Sequence, residues 1–182
     1  MKLICYWAFT MGHIAYLKTN EMIKLEISKE QLHRAENLYE FKALNNSITN
    51  GESNIFGAIG EVMVHDFFAI KGVNVDHTST FDYDMIIDGY KIDVKCHATS
   101  YEPKPYYNCC VPVLQAWQKC DFYFFTHATY DFKHCYLDGY KRKADFFKEA
   151  TIVKKGQKDK NNFRFKTDNY IVQIRNLHKF QY

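Results

Sequence analysis

The stretch Asp84-Met-Ile-Ile-Asp-Gly-Tyr-Lys-Ile-Asp-Val-Lys95 constrains this chain more than any other. Asp88-Gly89, flanked by alternating apolar residues, signals a two-residue type I′ hairpin turn, which needs positive φ at both central positions. With those residues in the turn, Ile87 faces Tyr90, and pairing outward sets Asp84 opposite Asp93. Cross-strand partners stand about 5 Å apart at Cβ, which is unfavourable for two bare carboxylates. A positive group between them removes the conflict. Alternation places Met85, Ile87, Tyr90, Ile92 and Val94 on one face, and Asp84, Asp93 and Lys95 on the other.

Two acids and a lysine set apart from the apolar face point to metal chemistry. Hard divalent cations take oxygen ligands, and Mg²⁺ uses one or two carboxylates while keeping several waters. Asp84 and Asp93 supply the carboxylates, and the carbonyl of Val94 supplies a further oxygen. Lys95 emerges two residues beyond Asp93, where its ammonium can position or deprotonate water or offset charge developing on a phosphate. The plain alternative is a pair of surface carboxylates salt-bridged to Lys91 and Lys95, worth at most about 1 kcal/mol.

Around the hairpin the patterning is that of one α/β domain. Residues 22–27 read as a short strand, and Ser28 with Gln31 forms a capping-box pattern that starts a helix over 29–44. Residues 45–53, rich in Asn, Ser and Gly, read as a loop. A second helix follows over 54–70, with Ile55, Phe56, Ile59, Met63, Phe67 and Ile70 at helical spacing and Gly57 and Gly60 allowing close approach to a sheet. Strands are expected at 73–75, 84–87 and 90–96, then a short helix at 111–119 and a central strand buried on both faces at 121–127. A strand at 132–137 ending in an Asp138-Gly139 turn, a helix at 141–150 and a strand at 169–174 complete the pattern. Helices flanking a central mixed β-sheet follow from this order.

These residues resemble the PD-(D/E)xK nuclease superfamily, which has the restriction-endonuclease-like fold. Asp84 matches the first acid, and Asp93-Val94-Lys95 matches the (D/E)xK strand. The helix carrying Gly60-Glu61 is similar to the family's first core helix, which often holds an additional metal-associated glutamate at the place of Glu61. Tyr83 stands where the family name has proline. Gln115 and Gln118 lie where some exonuclease branches carry a Gln-x-x-x-Tyr pattern, from which Lys119 departs, and Gln115 reads as an ordinary polar residue. The resemblance spans residues 54–127 and implies a core order α-β-β-β-α-β. It implies Mg²⁺, with Mn²⁺ as a substitute, at Glu61, Asp84, Asp93 and Val94, and Lys95 as the residue acting on water and phosphate. The implied activity is a metal-dependent deoxyribonuclease, read as an endonuclease. The alternatives are a non-catalytic nucleic-acid-binding module with the same fold, and an interaction protein that recruits an acidic partner.

The charge distribution bears on the partner. Residues 141–182 hold 12 Lys and Arg against 4 Asp and Glu, whereas residues 1–140 hold 12 against 17. A basic region of this kind suits a polyanion, so Lys141, Arg142, Lys143, Lys154, Lys155, Lys158 and Lys160 are candidate phosphate contacts, and Tyr106 and Tyr107 candidate base-stacking rings. DNA is the expected partner, with a homodimer as one way to cut both strands. The histidines His65, His97, His127 and His134 each read as packing or surface residues rather than ligands, and His97 also continues the face of Asp93 and Lys95.

At 182 residues, 47% of them hydrophobic, the chain can bury a core as one domain: a strand-and-helix extension at 1–53, a catalytic core at 54–127 and a basic region at 128–182. No apolar run reaches the length of a membrane span, and Lys18 and Glu21 interrupt the apolar opening in a way a signal peptide does not; Met11 and Met22 are alternative starts. An intracellular, cytoplasmic protein is expected, with its six cysteines as free thiols. A zinc site from Cys96, His97, Cys109, Cys110 and His134 or Cys135 matches no known spacing. Low proline with abundant Lys, Asn, Tyr and Phe fits an A+T-rich genome, such as that of a phage or other virus acting in a host cell.

Overall fold

Asp88 and Gly89 adopt φ values of 50° and 86°, and Ile87 pairs with Tyr90 across them, so the type I′ hairpin forms as its dipeptide requires. The computed structural model describes residues 22–43, 54–78, 80–159 and 162–180; the loop expected at 45–53, Cys5 and Lys160 lie outside them. The strands are β1 (Ile23–Glu26), β2 (Val75–His77), β3 (Met85–Ile87), β4 (Tyr90–Thr99), β5 (Asn108–Pro112), β6 (Phe122–Thr129), β7 (His134–Arg142), β8 (Thr151–Val153) and β9 (Asn169–Gln173). The helices are α1 (Lys29–Ala43), α2 (Asn54–Ala69) and α3 (Lys143–Glu149). Six strands form a mixed sheet in the order β1-β7-β6-β4-β3-β2, with β4 and β6 parallel and the other neighbours antiparallel. A second sheet runs β5-β9-β8.

β6 is buried at every position, as a strand covered on both faces must be. Its alternation feeds two cores. Phe122, Phe124 and Ala128 join Met85, Ile87, Ile92 and Val94 against α1 and α2. Tyr123 and Phe125 point the other way, onto Phe146 of α3 and Val111, Val172 and Ile174. The hairpin's apolar face is thus the face under α2, and the face of Asp93 and Lys95 looks towards the second sheet.

Local signals explain the helices. Ser28 and Gln31 form the reciprocal capping box, with Gln31 N–H donating to Ser28 Oγ at 3.1 Å and Ser28 N–H to Gln31 Oε1 at 3.0 Å. Arg34 and Gln31 of α1 both donate to the Asp66 carboxylate of α2, at 2.7 and 2.8 Å. α2 lies directly on the sheet at Gly60, where a Cβ would come within 2.6 Å of Cys96 Cβ and 2.8 Å of Thr126 Oγ1.

Three expectations are corrected. Residues 111–119 are not a helix: β5 ends at Pro112 and a single 3-10 turn, Val113–Gln115, follows. Cys109 and Val111 are buried while Asn108, Cys110 and Pro112 are less so, a period of two that only a strand satisfies. The expected order α-β-β-β-α-β therefore has one 3-10 turn where its second helix would be. Asp138-Gly139 is not a turn either, because β7 runs through it with a bulge opposite Phe125 and Thr126. Gly139 serves close packing instead: a Cβ there would stand 2.3 Å from the His178 carbonyl oxygen. Finally, β2 starts at Val75 rather than residue 73, since the Val73 N–H closes the end of α2 onto the Phe68 carbonyl at 3.2 Å.

The pairing of β1 with β7 joins the expected N-terminal extension and C-terminal region in the same sheet. Among the described residues no helix is long and apolar enough to cross a membrane, and Cys96, Cys109, Cys110, Cys120 and Cys135 are free thiols.

Candidate active site

The β3–β4 ladder ends at Met85 and Ile92, one pair short of Asp84 and Asp93. Asp84 instead brackets Asp93. Its N–H donates to the Ile92 carbonyl at 2.9 Å, and its Oδ2 accepts the Val94 N–H at 2.8 Å. Two carboxylates set face to face repel, whereas a backbone N–H bound to a carboxylate contributes about 1.5–3 kcal/mol. A strand residue's N–H and C=O leave on the same side, so the Val94 carbonyl also points to the edge where Asp84 lies.

Asp93 is buried, and its Oδ2 stands 2.6 Å from Lys95 Nζ. A buried ion pair needs further hydrogen bonds to offset the loss of hydration. Lys95 has them, donating to Gln115 Oε1 at 3.0 Å and Gln118 Oε1 at 3.3 Å. Gln118 in turn donates from Nε2 to the Phe81 carbonyl at 3.0 Å, which turns its own oxygen towards Lys95. The Lys143 ammonium bonds the Gln118 carbonyl and ties α3 to the same segment. The two glutamines, Gln115 among them expected to be an ordinary polar residue, are the cradle of the lysine. Gln118 lies beyond the Val113–Gln115 turn, its N–H donating to the Gln115 carbonyl at 3.1 Å, and no local periodicity marks the pair.

Glu61 follows the Gly60 contact on α2 and is buried, with Oε2 3.1 Å from His77 Nε2. His77 pairs with Met85, and the next residue, Thr78, donates its N–H to the Asp84 carbonyl at 3.1 Å. Glu61 therefore supports, through β2, the strand end that carries Asp84. Among the described residues no three His, Cys, Asp or Glu side chains gather into one ligand group. The hard-oxygen donors at the strand edge are Asp84, Asp93 and the Val94 carbonyl, a set of the kind Mg²⁺ uses with waters. Burial pushes the thiols of Cys96 and Cys110 up to about 12.

The basic residues divide. Lys141 is not a surface phosphate contact: it is buried on β7, and its Nζ lies 2.7 Å from both Glu149 Oε2 and the Asn176 carbonyl. Lys143 is half-buried and spent on Gln118. Arg142, Lys154, Lys155 and Lys158 are exposed, with Lys154 paired to Asp168 at 2.9 Å.

No protein-family model matches this chain, and no curated protein matches it.

Proposed function

We propose that this protein is a metal-dependent deoxyribonuclease that hydrolyses DNA phosphodiester bonds at Asp84, Asp93 and Lys95. The observation that carries the reading is the bracketing of Asp93 by Asp84, with Lys95 held 2.6 Å from the same carboxylate. The resemblance of the acid, acid-x-Lys order to the PD-(D/E)xK superfamily supports it, as do the helix before the hairpin and the buried strand after it. A restriction-endonuclease-like core is part of the proposal.

The residues fit a hard divalent cation, Mg²⁺ or Mn²⁺, held by Asp84, Asp93 and the Val94 carbonyl. When bound, the cation supplies Lewis-acid stabilisation of charge on the phosphoryl group. Lys95 directs its ammonium at a phosphate oxygen, and Gln115 and Gln118 orient it in advance, so little reorganisation is needed as charge develops. Glu61, through His77, positions the strand end of Asp84. Arg142, Lys155 and Lys158 hold the DNA backbone without reading sequence.

The test is hydrolysis. Supercoiled, linear, branched and single-stranded DNA are incubated with Mg²⁺ or Mn²⁺ and with EDTA. Metal-dependent breaks in at least one substrate are expected. Salt-dependent binding of all of them with no breaks would instead make the protein a non-catalytic nucleic-acid-binding module.

A further inference from the structure

We infer that the cavity beside Lys95 is a pocket for an unpaired nucleobase, so that the strand presented to the site is single-stranded or locally opened. This deepens the nuclease reading and rests on it. The cavity measures about 610 Å³, within the range of small-ligand pockets.

His97 lines the cavity and follows Lys95 by two residues on the same face of β4, about 6.6 Å along the strand. Asn108 and Cys110, which also line the cavity, belong to the segment that next presents Gln115 to Lys95. Site and pocket are thus consecutive stations along the same two segments. A nucleotide whose phosphate meets Lys95 has its base within reach of the cavity.

The chemistry of the floor favours an uncharged ring over a phosphate. His97 and His127 sit side by side across β4 and β6, their rings 5.4 Å apart. His97 accepts the Cys110 N–H at Nε2, 3.3 Å away, which leaves Nδ1 as its N–H donor. His127 Nδ1 is held by Asp138 Oδ2 at 2.6 Å, which leaves Nε2. Two ring nitrogens are thereby left for hydrogen bonds with a base's own edge. His97 is neutral near pH 7, because burial, His127 and Lys95 lower it to about 3.

The mouth supplies the stacking surface. Tyr101, Tyr130 and Phe163 line the cavity yet are 77%, 62% and 56% exposed. Asp159 and Lys166 also line the cavity. Aromatic rings left in water at its mouth are what stacking on bases uses, at about 1–3 kcal/mol per base.

The experiment uses the full chain carrying Lys95→Ala, so that bound strands stay intact. Its ligands are a short single-stranded oligonucleotide containing 2-aminopurine and the same sequence as a duplex closed at both ends. Quenching of 2-aminopurine on binding the single strand is expected. Tyr130→Ala or Phe163→Ala should weaken that binding about tenfold and remove the quench, whereas Tyr130→Phe keeps both. Affinity for the closed duplex should change less than about twofold, because no base is offered to the pocket. Unaltered single-strand binding in the alanine variants, equal weakening for the closed duplex, or no quench at all would overturn the pocket. Quenching lost in the variants, together with no cleavage of any DNA by the unsubstituted protein, would uphold base binding and remove the nuclease reading alone.

Discussion

Gln115 Oε1 and Lys95 Nζ stand 3.0 Å apart, although the two residues are 20 positions apart and belong to a turn and a strand. That contact, with Gln118 beside it, sets the direction of the ammonium that stands 2.6 Å from Asp93. Removing either amide leaves the lysine its charge and takes away its aim. Gln115→Ala and Gln118→Ala should each slow single-turnover cleavage about tenfold, with DNA affinity unchanged. Parallel losses in rate and affinity would show that the glutamines hold DNA rather than Lys95.

Asp84 serves both fold and chemistry, and two substitutions separate them. Asp84→Asn retains an oxygen for the Val94 N–H, so urea unfolding should shift by less than about 1 kcal/mol while cleavage is lost. Asp84→Ala leaves that donor unsatisfied and should cost a further 1–3 kcal/mol or so. Full cleavage by Asp84→Asn would remove this carboxylate from the donor set.

Gly60→Ala tests the seating of α2. The added Cβ would meet Cys96 Cβ at 2.6 Å and Thr126 Oγ1 at 2.8 Å, so helix and sheet must separate. A loss of about 1–3 kcal/mol in urea unfolding is expected, against the small gain that alanine normally brings to a helix. A stabilised variant would mean that the helix does not lie where the structure puts it.

How much of this was legible in the sequence is shown by two Asp-Gly pairs. Asp88-Gly89 has positive φ at both residues and makes the expected hairpin. Asp138-Gly139 has positive φ at the glycine alone and lies inside β7, under the backbone of His178. Local chemistry is the same in both; the close approach of a distant segment decides the second. The capping box of α1, the buried alternation of β6 and the grouping of Asp84, Asp93 and Lys95 were readable because each depends on neighbours in sequence or across one turn. Gln115, Gln118 and the burial of Lys141 depend on the second sheet and α3 folding back over β4 and β6, for which the residues carry no local mark. β5 escapes a local reading for a related reason: Cys109 and Val111 alternate, but only their partners on β9 make that alternation a strand.

The neutral His97 makes a pH prediction. Burial, then His127 and Lys95, lower it to about 3 in the folded protein, against 6.5 as its ordinary value. The unfolded chain takes up this proton below pH 6.5 and the folded chain refuses it, so the contribution is intact above 6.5 and lost as pH falls towards 3. The urea midpoint of the unsubstituted protein should therefore fall more steeply from neutral pH to about pH 5 than that of His97→Gln. Equal slopes would mean that His97 titrates normally.

The most direct measurement compares the unsubstituted protein with Lys95→Ala in single-turnover cleavage with Mg²⁺, at protein concentrations that saturate DNA binding in both. The expected result is a rate loss of about a hundredfold or more with similar DNA affinity, since a preorganised donor at developing charge is worth that much. Cleavage by Lys95→Ala at the unsubstituted rate would place the chemistry somewhere other than the Asp84–Asp93–Lys95 site.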